Sequence, residues 1–383
     1  MSARLRNRLL TVGVALGGLS LVLPGVASAA VSPVDLGTLP GDQYSSVTAI
    51  NDSGTMIGVS YPLDAQLRYH PAKWDRQGRI SALPALGGER GEPRAITTRD
   101  VVVGSAQTAD SVWKPVLWSA SGAVTALPLL WGGTSGDASA ISETGIVAGS
   151  STSAGGKVHA VRWSSDGRVT DLGVLPGGGS SFATGISRDG RVISGTATDA
   201  EGNRHVVRWV AGGAITDLTP GIEDADAKAI NAAGEIVGQV RLGAWDVAVK
   251  WDRAGKLIRL DWQAPPPTSS YATAINDAGI AVGAGYPDFD GTVATRWDRH
   301  GALTVLPSDT RGAEASAING SGVVAGSADR QAAKWDSTGA RTALDSLPGG
   351  DYSAATVINA SGRTAGLSAT ADGRWHAVYW PAG

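Results

Sequence analysis

The chain has 383 residues, including 53 glycines and no cysteine, and its formal net charge at neutral pH is −3. Because it cannot form disulfide bonds, a chain of this length must be held together by a large hydrophobic core. The acidic balance argues against a nucleic-acid or anionic-membrane partner, since either would call for a basic surface.

Residues 1–30 are predicted to be a secretory signal peptide. Arg4, Arg6 and Arg8 form a positive start, residues 9–23 are apolar, and Ala27-Ser28-Ala29 is a small-residue cleavage site. The alternative is an uncleaved membrane anchor, but the apolar run is short for a membrane span. Cleavage leaves 29 lysines and arginines against 35 acidic residues, a net charge of −6. We therefore expect a secreted, extracellular protein with no membrane attachment after cleavage.

From residue 31 onward, a unit of about 44 residues recurs eight times. Each unit carries a landmark isoleucine, and the copies lie 40 to 46 residues apart: Ile50, Ile96, Ile141, Ile186, Ile230, Ile275, Ile318 and Ile358. A framework tryptophan recurs in step at Trp74, Trp118, Trp163, Trp209, Trp251, Trp297, Trp335 and Trp380. The repeat therefore covers the whole chain after the predicted signal peptide.

Each unit contains four short runs with the composition of β-strands. In residues 140–178 these runs approach Ile141, cover residues 146–150, cover residues 158–163 and cover residues 168–175. Tight turns join the first run to the second and the third to the fourth, whereas a longer Ser/Gly-rich loop joins the second to the third. This pattern predicts a four-stranded antiparallel meander, which needs similar sheets beside it to cover its faces and edges.

Four strands in a period of this length are typical of a β-propeller blade. The eighth unit ends before its fourth strand, but residues 34–41 match the fourth-strand sequence of residues 170–177. We therefore predict that residues 31–383 form a single all-β domain. This domain is an eight-bladed β-propeller of four-stranded antiparallel blades, closed by an N-terminal strand at residues 33–39. A seven-bladed propeller and an open β-solenoid are the alternatives.

The units share the sequences Ala-Ile-Asn-x-x-Gly, His-Ala-x-x-Trp and Asp-Leu-Gly-x-Leu-Pro-Gly. They resemble the extracellular repeats called HAF, named for a His-Ala-Phe tripeptide, over the whole chain after the signal peptide. The third letter departs from that pattern, because residues such as Ala72, Val161 and Val378 stand at the Phe position. The resemblance implies a secreted, propeller-like repeat protein and brings no established activity with it.

No catalytic residue, metal site or cofactor is predicted. The sequence contains no Ser-His-acid set, Walker loop or dinucleotide glycine pattern. His70, His159, His205 and His376 each precede a framework tryptophan by four residues, so each belongs to its own blade. Propeller symmetry spreads such positions around a ring, which argues against a shared metal site.

The remaining aromatic residues concentrate in one class of loop. Loops between the second and third strands and loops between blades emerge on the same face, which we call the long-loop face. Function concentrates in loops, and exposed aromatic rings stack on sugars or anchor protein partners. The predicted ligand-binding residues are Trp113, Trp245, Trp375, Trp131, Trp262, Tyr286 and Phe289.

These patterns predict a secreted, monomeric, non-catalytic binding or scaffold protein. Its partner would be a polysaccharide or a secreted protein held at the aromatic-rich long-loop face. The alternative is a polysaccharide-acting lyase or glycoside hydrolase, with a carboxylate pair assembled from loop acids such as Asp246, Asp288, Asp290 and Asp372.

Overall fold

The computed structural model describes residues 30–63, 68–211, 213–260, 269–287 and 291–382. Residues 1–29 of the predicted signal peptide lie outside these ranges, as do Trp262, Asp288, Phe289 and Asp290. Throughout the described part of the chain the regular elements are β-strands, and none of its segments is a helix with the length and apolarity needed to cross a membrane.

Thirty-two strands follow one another within the described residues. Strand β1 is Val34–Asp35, and the strands of blades 1 to 4 are β2 Tyr44–Ile50, β3 Met56–Tyr61, β4 His70–Trp74, β5 Ile80–Ala82, β6 Gly87–Ile96, β7 Val102–Thr108, β8 Trp113–Trp118, β9 Val124–Ala126, β10 Gly136–Ile141, β11 Val147–Thr152, β12 Val158–Trp163, β13 Val169–Asp171, β14 Ser181–Ile186, β15 Val192–Thr198, β16 Arg204–Val210 and β17 Thr216–Asp217. Those of blades 5 to 8 are β18 Ala225–Ile230, β19 Ile236–Leu242, β20 Trp245–Trp251, β21 Leu257–Arg259, β22 Ser270–Ile275, β23 Ala281–Gly285, β24 Val293–Trp297, β25 Leu303–Val305, β26 Glu314–Ile318, β27 Val324–Ala328, β28 Gln331–Trp335, β29 Arg341–Leu344, β30 Ser353–Ile358, β31 Thr364–Ala369 and β32 Trp375–Trp380.

These strands form eight four-stranded antiparallel sheets arranged as the blades of a propeller. Seven sheets take four consecutive strands, and the eighth has the order β1-β32-β31-β30. The first strand of each blade contacts the first strand of the next, and β2 contacts β30, so the ring is closed. The predicted eight-bladed propeller is thus confirmed, and the seven-bladed and open alternatives are excluded.

The N-terminal strand closes the ring as predicted, but it is shorter than the predicted residues 33–39. Val34 pairs with Tyr379 and Asp35 with Val378, and the Leu36 N–H then donates to the carbonyl of Ala377 at 3.0 Å. The strand ends there because Gly37 takes a left-handed conformation (φ 63°), which turns the chain toward blade 1.

The framework tryptophans join each blade to the one before it. All eight are essentially inaccessible to solvent, and they fill the space between neighbouring sheets. Seven donate an indole N–H to a main-chain carbonyl near the fourth strand of the preceding blade, at 2.7 to 3.1 Å. For Trp74 of blade 1, that acceptor is Leu36, just after β1.

A second link between blades uses a buried serine at the start of the first strand. Ser181 accepts a hydrogen bond at 2.8 Å from the N–H of Ala160 in the preceding blade, and Ser45, Ser270 and Ser353 accept equivalent bonds. Blades 2 and 3 carry Gly91 and Gly136 at this position instead. The residue that would donate to each is a proline, Pro71 or Pro115, which has no N–H. At these two junctions the proline removes the donor and the glycine removes the acceptor, so neither group is left unpaired.

Every innermost strand contains a β-bulge two residues before its landmark isoleucine. Bulges redirect side chains and are common beside functional sites. The bulge brings a carbonyl so close to the second strand that a glycine is needed there. In blade 4, a Cβ on Gly195 would overlap the carbonyl oxygen of Phe182. Gly195 therefore fills this position in blade 4.

Candidate functional site in the central channel

The eight innermost strands surround the central channel with three rings of side chains. The upper ring, nearest the long-loop face, comprises the residues four positions before each landmark isoleucine: Ser46, Glu92, Asp137, Phe182, Asp226, Tyr271, Glu314 and Ala354. The middle ring comprises the bulge residues Thr48, Arg94, Ser139, Thr184, Lys228, Thr273, Ser316 and Thr356. The landmark isoleucines form the third ring. Residues of the first two rings are half-buried or exposed, whereas their neighbours along the strand are mostly more buried, as expected when alternate side chains face a channel.

The two upper rings contain charges of both signs. Arg94 lies 2.7 Å from Glu92 in its own blade and 4.0 Å from Asp137 in blade 3, so it joins two blades. In blade 5, Lys228 lies 2.6 Å from Asp226. With Glu314, the channel holds four carboxylates against two cations. This arrangement can bind a ligand that carries a positive group and a negative group.

Blades 6 and 7 add a hydrogen-bonded pair to the upper ring. The Tyr271 hydroxyl donates to Glu314 at 2.7 Å, between blades. Burial raises the pKa of Tyr271 well above its usual range, and the hydrogen bond to Glu314 raises it further. Tyr271 therefore stays protonated and acts as a hydrogen-bond donor.

A cavity of about 460 Å³ opens from the channel at the inner edge of blades 2, 3 and 4. Its walls include an acidic pair, a cation, two aromatic rings and a hydroxyl: Glu92, Asp137, Arg94, Trp113, Phe182 and Thr184. Phe182 is 41% exposed and Trp113 is half-buried. The cavity thus combines an apolar surface with charged groups, as small-molecule sites do.

A separate cavity of about 320 Å³ lies at the opposite mouth and is lined by six of the landmark isoleucines and by turn residues. Its carboxylates are already engaged with the main chain or side chains of neighbouring blades. Asp277 accepts from the Ala232 N–H at 2.8 Å, and Glu143 accepts from the Thr98 hydroxyl at 2.6 Å. The carboxylates at this mouth therefore hold neighbouring blades together. The long-loop end of the channel is the better candidate site.

Three of the predicted ligand-binding tryptophans lie in different blades, five residues before the framework tryptophan for Trp113 and Trp375 and six residues before it for Trp245. Trp113, Trp245 and Trp375 each begin a third strand, in blades 2, 5 and 8. Trp113 lines the channel cavity. Trp245 packs against the core of blade 5, and Trp375 packs edge-on against Tyr352 with ring centroids 5.3 Å apart. Of the remaining predicted residues within the described ranges, Trp131 is 89% exposed, and Tyr286 lies 6.4 Å from the Tyr271 ring.

The charged channel residues were missed from sequence, although a signal for them is present. Polar or aromatic residues recur four and two positions before the landmark isoleucine, as in Asp226 and Lys228 before Ile230. In a propeller these are the channel-facing positions of the innermost strand. The aromatic side chains of Phe182 and Tyr271 also belong to the upper ring.

Four of the histidines, His70, His159, His205 and His376, lie in different blades, and each contacts an aspartate. His159 contacts Asp171 at 2.8 Å, and His376 contacts Asp35 at 3.0 Å, in both cases across the third and fourth strands of a blade. Within the described ranges, no group of three histidine or acidic side chains is placed to hold a metal ion.

No protein family and no curated protein sequence matches the chain. Solved structures resemble it in fold. A crystal structure of puromycin hydrolase matches with a TM-score of 0.51 and 16% identity over 94% of this chain and 62% of that chain. A prolyl endopeptidase matches with a TM-score of 0.57 and 12% identity over 88% of this chain and 54% of that chain. At these identities the likeness shows the fold, and this chain spans little more than half the length of either protein.

The predicted role as a non-catalytic binding or scaffold protein for a polysaccharide or protein partner is wrong. The puromycin hydrolase and the prolyl endopeptidase match with TM-scores above 0.5, and neither is named for a polysaccharide substrate. The geometry also differs from the expected one. Two of the three key tryptophans pack against their own blades, and the polar groups able to bind a ligand converge in the channel.

Proposed function

We propose that the protein takes part in the hydrolysis of short peptides or peptide-like amides, and that the central channel binds and orients the substrate. The observation that carries this proposal is the mixture of charges in the upper two rings. Carboxylates such as Asp137 can bind an amino group, and cations such as Lys228 can bind a carboxylate, through charge-assisted hydrogen bonds.

The middle ring supplies groups suited to a peptide backbone. Four of its eight members are threonines, and Ser139 and Ser316 add two further hydroxyls. Each hydroxyl can donate and accept a hydrogen bond. Some are already engaged: the Thr273 hydroxyl donates to the Ala315 carbonyl at 2.7 Å. The apolar isoleucine ring follows, so a peptide entering from the long-loop face passes from charged to hydroxyl to apolar surroundings.

The comparisons support a hydrolytic role, because puromycin hydrolase and prolyl endopeptidase share the fold over most of this chain. Both proteins are considerably longer. We therefore assign substrate binding and orientation to this propeller. An amide-cleavage assay tests whether it also cleaves the substrate. The secretion indicated by the N-terminal sequence would place that activity outside the cell.

The proposal is tested by isothermal titration of the purified protein with unblocked tripeptides, together with release of nitroaniline from aminoacyl p-nitroanilides. We expect saturable binding that weakens about tenfold in an Arg94→Gln, Lys228→Gln double variant, because both channel cations are lost. Arg168→Gln, in an exposed turn, is the matched control and should bind like the parent protein. If no peptide binds and no amide is cleaved, the proposal is wrong.

A further inference from the structure

The cavity at blades 2, 3 and 4 differs chemically from the rest of the channel. It holds two carboxylates but one arginine among the residues that line it, and both of its large apolar side chains are aromatic. The rest of the upper two rings also holds two carboxylates and one cation, but both carboxylates are engaged at short range. Asp226 lies 2.6 Å from Lys228, and Glu314 accepts from the Tyr271 hydroxyl at 2.7 Å. A ligand group suited to this cavity should therefore be positively charged and adjoin an apolar or aromatic portion.

Within the cavity, Asp137 is the carboxylate available for such a group. Arg94 contacts Glu92 at 2.7 Å but reaches Asp137 only at 4.0 Å, at the limit of an ion pair. The closer contact with Asp137 is the Ser139 hydroxyl, which donates to one of its oxygens at 3.0 Å. One carboxylate oxygen of Asp137 can therefore accept from an incoming ammonium group.

The aromatic rings provide the second half of the recognition. Phe182 follows Asp137 in the upper ring, one blade further around the channel, and projects 41% of its surface into solvent. A cation over an aromatic face is attracted by the negative centre of the ring. Trp113 forms a further wall that an apolar side chain of the ligand can pack against.

A local substitution in the framework lies in the wall of this cavity. Gly136 lines it at the position where blade 4 carries Ser181. The glycine accompanies Pro115 in the preceding blade, where no main-chain donor requires an acceptor. A Cβ on Gly136 would lie 2.5 Å from the Ser150 carbonyl oxygen and 3.3 Å from the Pro115 ring, so this wall is formed by closely packed main chain.

We propose that this cavity binds the free amino end of a peptide whose first side chain is apolar or aromatic, with Asp137 holding the ammonium group and Phe182 and Trp113 packing around that residue. The inference rests on the proposed function, since it names the end of the substrate that enters this part of the channel. Specificity for an unblocked amino terminus follows, because acetylation removes the charge and leaves Asp137 without its partner.

The test is isothermal titration of the intact protein with Phe-Gly-Gly and with N-acetyl-Phe-Gly-Gly. The free peptide should bind about tenfold more tightly than the acetylated one. Asp137→Asn should abolish that difference, and Phe182→Ala should weaken the free peptide more than the acetylated one. Glu314→Gln, in the same ring but in blade 7 on the opposite side of the channel, should keep the difference.

Each other outcome overturns the inference. Equal binding of the two peptides would show that the amino end is not recognised, while leaving channel binding intact. A difference that persists in both Asp137→Asn and Phe182→Ala would place the amino end elsewhere. If neither peptide binds, the proposed function is overturned as well. Phe182 is exposed, so its replacement by alanine should fold even if the Asp137 variant does not.

Discussion

The side-chain amide of Asn359 donates a hydrogen bond at 3.2 Å to the main-chain carbonyl of Asn51, 308 residues earlier in the chain. It closes a belt in which each buried asparagine donates to the equivalent carbonyl of the next blade. The other links of this belt run from Asn51 to Thr97, Asn231 to Asn276, Asn276 to Asn319 and Asn319 to Asn359. Blades 2, 3 and 4 carry Thr97, Ser142 and Ser187 instead, and there the belt is interrupted.

Two variants separate the local and the inter-blade roles of Asn359. Its amide oxygen also accepts from the Arg363 N–H at 3.0 Å, within its own turn. A serine keeps such a turn bond, as Ser142 does with the Ile146 N–H. We therefore expect Asn359→Ser to lower the free energy of unfolding by about 1 kcal/mol and Asn359→Ala by about 2 kcal/mol. Urea denaturation measures both, and a serine variant as stable as the parent protein would show that the closing bond contributes nothing.

The serine link between blades gives a second prediction. Replacing Ser181 by alanine removes the acceptor of the Ala160 N–H, which is fully buried and cannot bond water instead. An unsatisfied buried donor costs about 1 to 3 kcal/mol, so the free energy of unfolding should fall by that amount. Ser121→Ala, in an exposed turn, is the matched control and should change it by less than about 0.5 kcal/mol. Equal effects of the two substitutions would contradict the assignment of Ser181 as a blade link.

The fold could be predicted from the sequence because its determinants are local and periodic. The spacing of Ile141 and Trp163, repeated eight times, fixes strand order and blade number, and the fourth-strand sequence around Leu36 identifies the closing strand. The site could not be predicted, because its residues come from different blades and meet only in the folded ring. Glu92, Asp137 and Phe182 lie about 45 residues apart in sequence, and ring closure is what brings them to one channel.

The sequence also did not show which charged side chains are buried. Lys250 directly precedes the framework tryptophan Trp251 in the sequence. The structure leaves it 1% exposed, with its Nζ donating to the Arg299 carbonyl at 2.6 Å in the next blade. A residue one position before a strand tryptophan faces the opposite side of the sheet. Whether that side is open or covered depends on the neighbouring blade.

The pair of His376 and Asp35 should make the closing strand sensitive to pH. The hydrogen bond to Asp35 raises the pKa of His376 above 6.5. Burial raises the pKa of Asp35, but the hydrogen bonds from His376 and the Gly37 N–H outweigh it and bring that pKa below 3.8. The raised histidine pKa stabilises the fold below 6.5 and loses its effect as pH rises through the folded value. The lowered aspartate pKa stabilises it above 3.8 and loses its effect as pH falls through the folded value.

Both contributions are therefore complete between about pH 4 and pH 6.5. Asp35→Asn should lower the melting temperature most at about pH 5.5 and progressively less as the pH is raised toward about 9, because His376 loses its charge as the pH passes its folded pKa. His376→Gln removes the same ion pair and should give a profile with the same pH dependence. A melting-temperature loss that is constant over this range would show that the pair does not contribute through its charges.

Deleting residues 33–39 should destabilise the propeller and expose an edge prone to association. The deletion removes the partner of β32, the Leu36 carbonyl that accepts from the Trp74 indole at 2.9 Å, and the Leu36 side chain, which is 3% exposed in the core between blades 8 and 1. Loss of that leucine alone costs about 2 to 5 kcal/mol. An unpaired strand edge is a template for pairing with another molecule.

We expect this deletion to lower the melting temperature and to produce concentration-dependent aggregation, which differential scanning calorimetry and light scattering measure. Leu36→Ala is the matched variant, because it removes the side chain but keeps β1 paired with Tyr379 and Val378. It should lower the melting temperature while the protein stays monodisperse, since the edge of β32 remains covered. A deletion variant that melts and scatters light like the parent protein would show that the N-terminal strand does not hold the ring closed.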